Sequence, residues 1–213
     1  MVRMGIKLIA FDLDGVLIDG CGSWREVHRG LGTTEQAKKH ADEYREGKIN
    51  FDEWARKDAR LWHGVEIDRI KEILYNVELM PGIEETIPAL NGRYRIGIIS
   101  GGLQIMADRI KDKFNMGYAI GNSLLVNQGK VCGVDQVVDF QGKGKVLEAV
   151  ARDNGVALDE CAVIGDFIND IPMFEIAGFR IAFNPKSDEI VEMADEVIYE
   201  KDLTKILPFF EVQ

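Results

Sequence analysis

Five short apolar runs punctuate the chain, and three of them stop at an acidic or glycine-rich step. Lys7-Leu8-Ile9-Ala10-Phe11 ends at Asp12, Tyr94-Arg95-Ile96-Gly97-Ile98-Ile99 ends at Ser100-Gly101-Gly102, and Cys161-Ala162-Val163-Ile164 ends at Gly165-Asp166. Phe179-Arg180-Ile181-Ala182-Phe183 and Glu196-Val197-Ile198-Tyr199 are two more. Apolar runs this short, bounded by turn residues, predict buried β-strands. Between them the period changes. Over 143–154, Val146, Leu147, Val150 and Ala151 share one helical face, and Gly155 supplies the stop. Strands alternating with helices predict an α/β fold built on a parallel sheet with right-handed crossovers.

Two stretches break that alternation. From about Ser23 to Asn76 no strand pattern occurs, and helical patterns follow one another. Phe51, Trp54, Ala55, Ala59 and Trp62 recur at helical spacing with Arg56, Lys57 and Arg60 interleaved, which predicts a core-facing helix within a helical insertion after the first strand. Between Tyr118 and Asp139, Asn127-Gln128-Gly129-Lys130 separates Leu124-Leu125-Val126 from Val131-Cys132. That pattern predicts a β-hairpin with Gly129 in the turn.

At 213 residues, the length suits one large domain or a domain with a small insertion. Hydrophobic residues at 46% and charged residues at 29% exclude a disordered chain. No run reaches the roughly 18 apolar residues of a membrane span. The opening Met1-Val2-Arg3-Met4-Gly5-Ile6 soon meets Asp12, which is too short and too acidic a start for a signal peptide. Cys21, Cys132 and Cys161 are odd in number and widely spaced, which argues against a disulfide scaffold or a zinc site and fits a reducing cytoplasm. With 26 basic against 36 acidic residues, the net charge of −10 disfavours nucleic acid and anionic membranes as partners. A small anionic substrate would need local cations or a metal.

The strand ends carry the candidate chemistry, because ligands bind at the carboxyl edge of open α/β sheets. Asp12 and Asp14 place two carboxylates one residue apart, an arrangement that is costly without a cation or a shared proton. An EF-hand fails, because Val16 and Ser23 stand where acidic ligands are needed. Ser100-Gly101-Gly102 offers a hydroxyl beside backbone N–H groups that can approach an anion. Gly165-Asp166-Phe167-Ile168-Asn169-Asp170 adds two carboxylates and an amide. Two acidic clusters on separate strands suit a hard, oxygen-seeking cation such as Mg2+. Lys143, opening a helix in Gly142-Lys143-Gly144-Lys145, can meet a bound phosphate. Phosphate loops of the Walker type and dinucleotide glycine fingerprints are missing, and His28, His40 and His63 lack metal-ligand spacing. Those histidines read as packing or surface residues.

Asp12-Leu13-Asp14-Gly15, then Ser100, then a helix-opening lysine, then Gly165-Asp166-x-x-Asn169-Asp170, in that order, resembles the haloacid dehalogenase (HAD) superfamily over nearly the whole chain. Ile99-Ser100-Gly101-Gly102 and Gly47-Lys48-Ile49-Asn50-Phe51 are similar to the phosphoserine phosphatase-like subgroup. The resemblance implies a Rossmann-like core of residues 1–19 and 81–213, with a small helical cap, 20–80, inserted after the first strand. It implies a Mg2+-dependent phosphatase acting on a small phosphorylated metabolite through an aspartyl-phosphate. Asp12 would be the nucleophile and Asp14 the general acid and base; Ser100, Gly101, Lys143 (rather than Lys145) and Asn169 would bind the phosphoryl group. Asp12, Asp14 through its carbonyl, Asp166 and a supporting Asp170 would hold the metal. A phosphomutase of the β-phosphoglucomutase type and a non-catalytic metabolite-binding protein remain alternatives.

The chain departs from that subgroup where substrate is chosen. The subgroup carries a glutamate for the substrate ammonium and a cap arginine for its carboxylate; by register these positions fall on Cys21 and Asp58. Cys21 cannot replace the ion pair, and Asp58 is expected to repel a carboxylate. Arg56 and Arg60 stand two residues to either side, about 200° around a helix. Activity on L-phosphoserine is therefore expected to be weak or absent.

Overall fold

A computed structural model describes residues 5–211. The signal-peptide reading rests in part on Met1 to Met4, which lie outside the described residues. One seven-stranded sheet is formed by β1 (Leu8–Phe11), β2 (Arg95–Leu103), β3 (Tyr118–Asn127), β4 (Lys130–Asp135), β5 (Cys161–Gly165), β6 (Phe179–Phe183) and β7 (Glu196–Ile198), in the order β4-β3-β2-β1-β5-β6-β7. All neighbours are parallel except β3 and β4. Alternate residues of the central strands feed two apolar layers. Leu8, Ala10, Ile99 and Val163 pack with Leu147, Ala151 and Met173, whereas Ile9, Phe11, Ile98 and Ile164 pack with Met106 and Ile110. Burial on both faces is why these strands read as continuous apolar runs.

Helices α1 (Ser23–Leu31), α2 (Thr34–Arg45), α3 (Phe51–Leu61) and α4 (Ile67–Tyr75) fill the segment between β1 and α5 (Ile83–Leu90). α6 (Gln104–Phe114), α7 (Lys143–Asp153), α8 (Ile171–Phe174) and α9 (Asp188–Met193) are the other α-helices of the described residues. Asn50 and Glu53 start α3 as a reciprocal capping box, each side chain accepting the other's backbone N–H at 2.9 Å. Ala55, Ala59 and Trp62 of the predicted stripe are buried, while Phe51 and Trp54 are partly exposed. Val27, Trp62, Ile70 and Leu74 join the apolar layer beneath Ile9 and Phe11.

Two differences from the sequence pattern bear on function. β2 does not stop at Ser100 but runs on to Leu103, its register against β3 shifting between Ile99 and Leu103. The glycines permit this: a side chain on Gly102 would come within 2.7 Å of Ser23 Oγ and 2.8 Å of Asp14 Oδ2. β3 is also more than half of a hairpin. Its first half extends the parallel sheet beside β2, and the Tyr118 ring covers Gly97, where a side chain would collide with it. The hairpin turn itself is Gln128-Gly129, both at positive φ (50° and 77°), between the paired residues Asn127 and Lys130.

Strand order reverses at β1, whose neighbours are β2 on one side and β5 on the other. A crevice at the carboxyl ends of such strands is the usual ligand site of an open α/β sheet.

Candidate active site

Register brings the three strand ends together. Phe11 of β1 pairs with Ile98 of β2 and Ile164 of β5, so Asp12, Ser100 and Asp166 all emerge on the same edge. All three are at most 2% exposed, and Asp170 is fully enclosed.

Lys143, the first residue of α7 and completely buried, lies 2.7 Å from Asp12 Oδ1 and 2.5 Å from Asp170 Oδ1. Burial alone would strip its proton, but those two carboxylates hold its pKa above the ordinary lysine range. Lys145, two residues on, is exposed. Asp170 is itself fixed from the other side, its Oδ2 accepting the Asp166 N–H at 2.9 Å and the Phe167 N–H at 3.3 Å. Asn169 sits partly exposed in the same single turn, 168–170.

Asp12, Asp166 and Asp170 each offer an oxygen within 4.8 Å of the others. Burial first, and then the charge of Asp12, raise the carboxyl pKa of both Asp166 and Asp170. Asp12 Oδ1 is buried with an ammonium beside it but no aligned hydrogen-bond donor. Three converging carboxylates, one with an unsatisfied oxygen, fit a hard divalent cation.

Asp14 is treated differently from Asp12. Its Oδ1 accepts the Ser23 N–H at 2.9 Å and its Oδ2 the Ser23 hydroxyl at 3.1 Å. Its carboxyl is pushed up to about 6, first by burial and then by Asp12, against the opposing Ser23 hydrogen bonds. The two acids of one loop therefore point to different partners, with Asp14's carboxylate outside the acidic cluster. Ser100 Oγ accepts the Gly102 N–H at 3.0 Å, which leaves its own hydroxyl proton to donate elsewhere. The Gly101 carbonyl accepts from Trp24 Nε1 at 3.1 Å and Asn122 Nδ2 at 3.0 Å, which fixes the loop.

Two residues of this site escape a sequence reading. Ser23 opens α1, and its hydroxyl also accepts the Leu103 N–H at 3.0 Å, tying β1, α1 and β2 together. Lys186, after β6, places its ammonium on Asp166 Oδ2. Neither stands in a motif, because each acts through contacts made only in the fold.

Cys21 and Asp58, the positions expected from the sequence to choose substrate, also gain partners. The Cys21 N–H and thiol both face Glu26 Oε1, at 3.3 and 3.2 Å. Asp58 is 5% exposed, with His40 Nδ1 at 2.7 Å and His28 Nε2 at 3.3 Å. The expected repulsion from Asp58 is therefore corrected: its charge is enclosed between two imidazoles instead of facing a substrate. His63 is exposed.

A family model described as haloacid dehalogenase-like hydrolase matches residues 6–178. The chain is 36% identical over 208 residues to the phosphoserine phosphatase of Methanocaldococcus jannaschii, covering 96% of this chain and 98% of that one. Identity to the phosphoserine phosphatase of Wolinella succinogenes is 29% over 205 residues, covering 95% and 98%. A solved substrate-bound phosphoserine phosphatase complex superposes with a TM-score of 0.85 at 35% identity, over 97% of this chain and 99% of that one. A phospho-aspartyl intermediate analogue of phosphoserine phosphatase gives 0.84 at 36%, over 97% and 99%.

Proposed function

The chain belongs to the haloacid dehalogenase-like hydrolase family, and on that premise we propose that it is a Mg2+-dependent phosphatase that cleaves a small phosphomonoester through an aspartyl-phosphate on Asp12. The observation that carries this reading is the divided loop: Asp12 beside Lys143 in the acidic cluster, Asp14 turned onto Ser23. Asp12 and Asp166, together with the Asp14 carbonyl, would hold the ion, which supplies the positive charge that lets a phosphate dianion approach a carboxylate. Asp170 is already committed to Lys143 and two backbone N–H groups, so it supports the site from behind.

Asp12 attacks phosphorus and the ester oxygen departs. Asp14, with its pKa near 6, has both protonation forms available around neutrality. It gives its proton to the leaving alkoxide, then takes one from the water that hydrolyses the aspartyl-phosphate. The Ser100 hydroxyl, the Gly101 N–H, Lys143 and Asn169 donate to the phosphoryl oxygens as charge redistributes. The existence of a solved phospho-aspartyl intermediate analogue for a 36% identical relative supports the covalent route.

Residues 20–80 act as a cap over a core of 1–19 and 81–213. Support comes from three contacts with the strand ends: Ser23 on Asp14, Trp24 on the Gly101 carbonyl, and the Phe51 ring 4.0 Å from where a Gly101 side chain would begin. Closure of a cap excludes water and strengthens charge interactions beneath it.

The test is phosphate release from 4-nitrophenyl phosphate. Turnover is expected with Mg2+, is lost with EDTA, and falls by several orders of magnitude in Asp12→Asn, which removes the nucleophile at nearly constant volume. Near-normal release by Asp12→Asn would overturn the covalent mechanism. Phosphoryl transfer to a sugar without free phosphate would make it a mutase.

A further inference from the structure

We propose that Lys186 is a second cation of the active site that acts oppositely on two ligands, weakening divalent-cation binding and strengthening binding of the dianionic phosphoryl group. The inference rests on the phosphatase reading above.

Lys186 is held in place at both ends. Its backbone N–H donates to the Asp166 carbonyl at 2.8 Å, and its ammonium pairs with Asp166 Oδ2. The turn that delivers it is fixed by Asn184, which adopts a left-handed φ of 44° and donates its N–H to the Ile198 carbonyl at 2.6 Å. On the far side lies Gly15, where any side chain would collide with both Asp166 Oδ2 and Lys186 Nζ. The loop carrying Asp12 and Asp14 therefore packs directly on this ion pair, and a glycine is what lets it do so.

Charge arithmetic gives the lysine its effect. Asp12, Asp14, Asp166 and Asp170 are four carboxylates, and Lys143 and Lys186 are two ammoniums, so the site carries a formal charge of −2. One divalent cation cancels that. Lys186 shares Asp166 with the cation it accompanies, so it lowers that cation's hold. For an incoming phosphate dianion it counts as attraction. The Lys143 side chain is fully buried between two carboxylates, whereas that of Lys186 is 49% exposed. Its contribution is therefore damped by water.

Lys186→Gln in the full chain decides the matter, with both ligands measured at equilibrium. Mn2+ is the metal probe, with free ion read by electron paramagnetic resonance. Inorganic phosphate is the anion probe, read by calorimetry at saturating Mn2+. Mn2+ should bind about tenfold tighter and phosphate about tenfold weaker, each change being ~1.4 kcal/mol. Lys186→Arg should return both toward the parent. A purely structural role for Lys186 would disorder Asp166 and weaken both ligands together; that result, or no change in either, overturns the proposal. Binding of Mn2+ and phosphate by the parent chain reports on the phosphatase reading, and the ratio of variant to parent reports on Lys186.

Discussion

Asp12 and Asp14 are the same residue type two positions apart, and what distinguishes them is a hydroxyl on another element. Ser23 gives Asp14 two hydrogen bonds, and both favour the ionised carboxylate. They oppose burial and the nearby Asp12, and the balance settles at about 6. Ser23→Ala keeps the backbone donor and removes the hydroxyl, so the Asp14 pKa should rise further. If Asp14 is the general acid and base of the proposed mechanism, a higher pKa keeps it protonated to higher pH and delays its use as a base. Both limbs of the kcat–pH profile should therefore move to higher pH, by up to about one unit. A profile that moves down, or stays where it is, would show that Ser23 does not tune Asp14. Such a residue leaves no trace in the sequence. A serine opening a helix reads as an N-cap, yet this hydroxyl is spent on Asp14 and on the Leu103 N–H.

At the scale of elements, what the sequence made legible follows from burial. β1 and β5 lie side by side at the centre of the sheet, so their apolar runs and acidic ends are plain, the apolar run of β6 is legible too, and α7 shows its face and its glycine stop. β2 beyond Ser100 and the first half of β3 were not legible, because glycine carries no periodicity and Tyr118 is explained only by the Gly97 opposite it. The four inserted helices are legible as a group, but not the contacts that tie three of them. His28 Nδ1 accepts from Trp62 Nε1 at 3.2 Å and lies 2.7 Å from Thr33 Oγ1. With that nitrogen accepting, the neutral ring carries its proton on Nε2, facing Asp58, which also meets His40 of α2. Asp58 thus joins α1, α2 and α3. Asp58→Ala should remove the hydrogen-bond partner of partly exposed His40 Nδ1 and the carboxylate facing buried His28 Nε2, at a cost of ~1 kcal/mol, lowering Tm by about 2–4 °C for a chain of this size. Calorimetric melting of the variant checks this, and an unchanged Tm would mean the three helices are held by apolar packing alone.

For the molecule as a whole, the issue is how a chain of net charge −10 selects an anionic substrate. On the proposed mechanism the phosphoryl group would meet Lys143 and the loop of Ser100 and Gly101, and the leaving group would enter a different neighbourhood. There the Trp24 indole is bonded to Gly101 and the Phe51 ring lies over it. Tyr44, Trp54 and Phe140 stack behind Phe51, with centroids 4.8–6.1 Å apart within the cluster. Charges on α3 are turned elsewhere: Arg56 toward Asp52, Lys57 toward Glu43, and Asp58 between His28 and His40. A substrate carboxylate would find an acidic protein and an aspartate at the register position of the expected arginine, although relatives 36% and 29% identical are named phosphoserine phosphatases. Losing one charge-assisted contact costs about 1.5–3 kcal/mol, so kcat/KM for L-phosphoserine should fall roughly ten- to a hundredfold below that for a neutral sugar phosphate. Restoring the arginine alone should not rescue it. Asp58→Arg would set a third cation-capable group between two imidazoles and destabilise the helices before it reached a substrate. Steady-state kinetics on L-phosphoserine beside a sugar phosphate, for the parent and Asp58→Arg, measure both parts. A parent that prefers L-phosphoserine would contradict the substrate reading, and a variant that gains it would show that Asp58 faces the pocket after all.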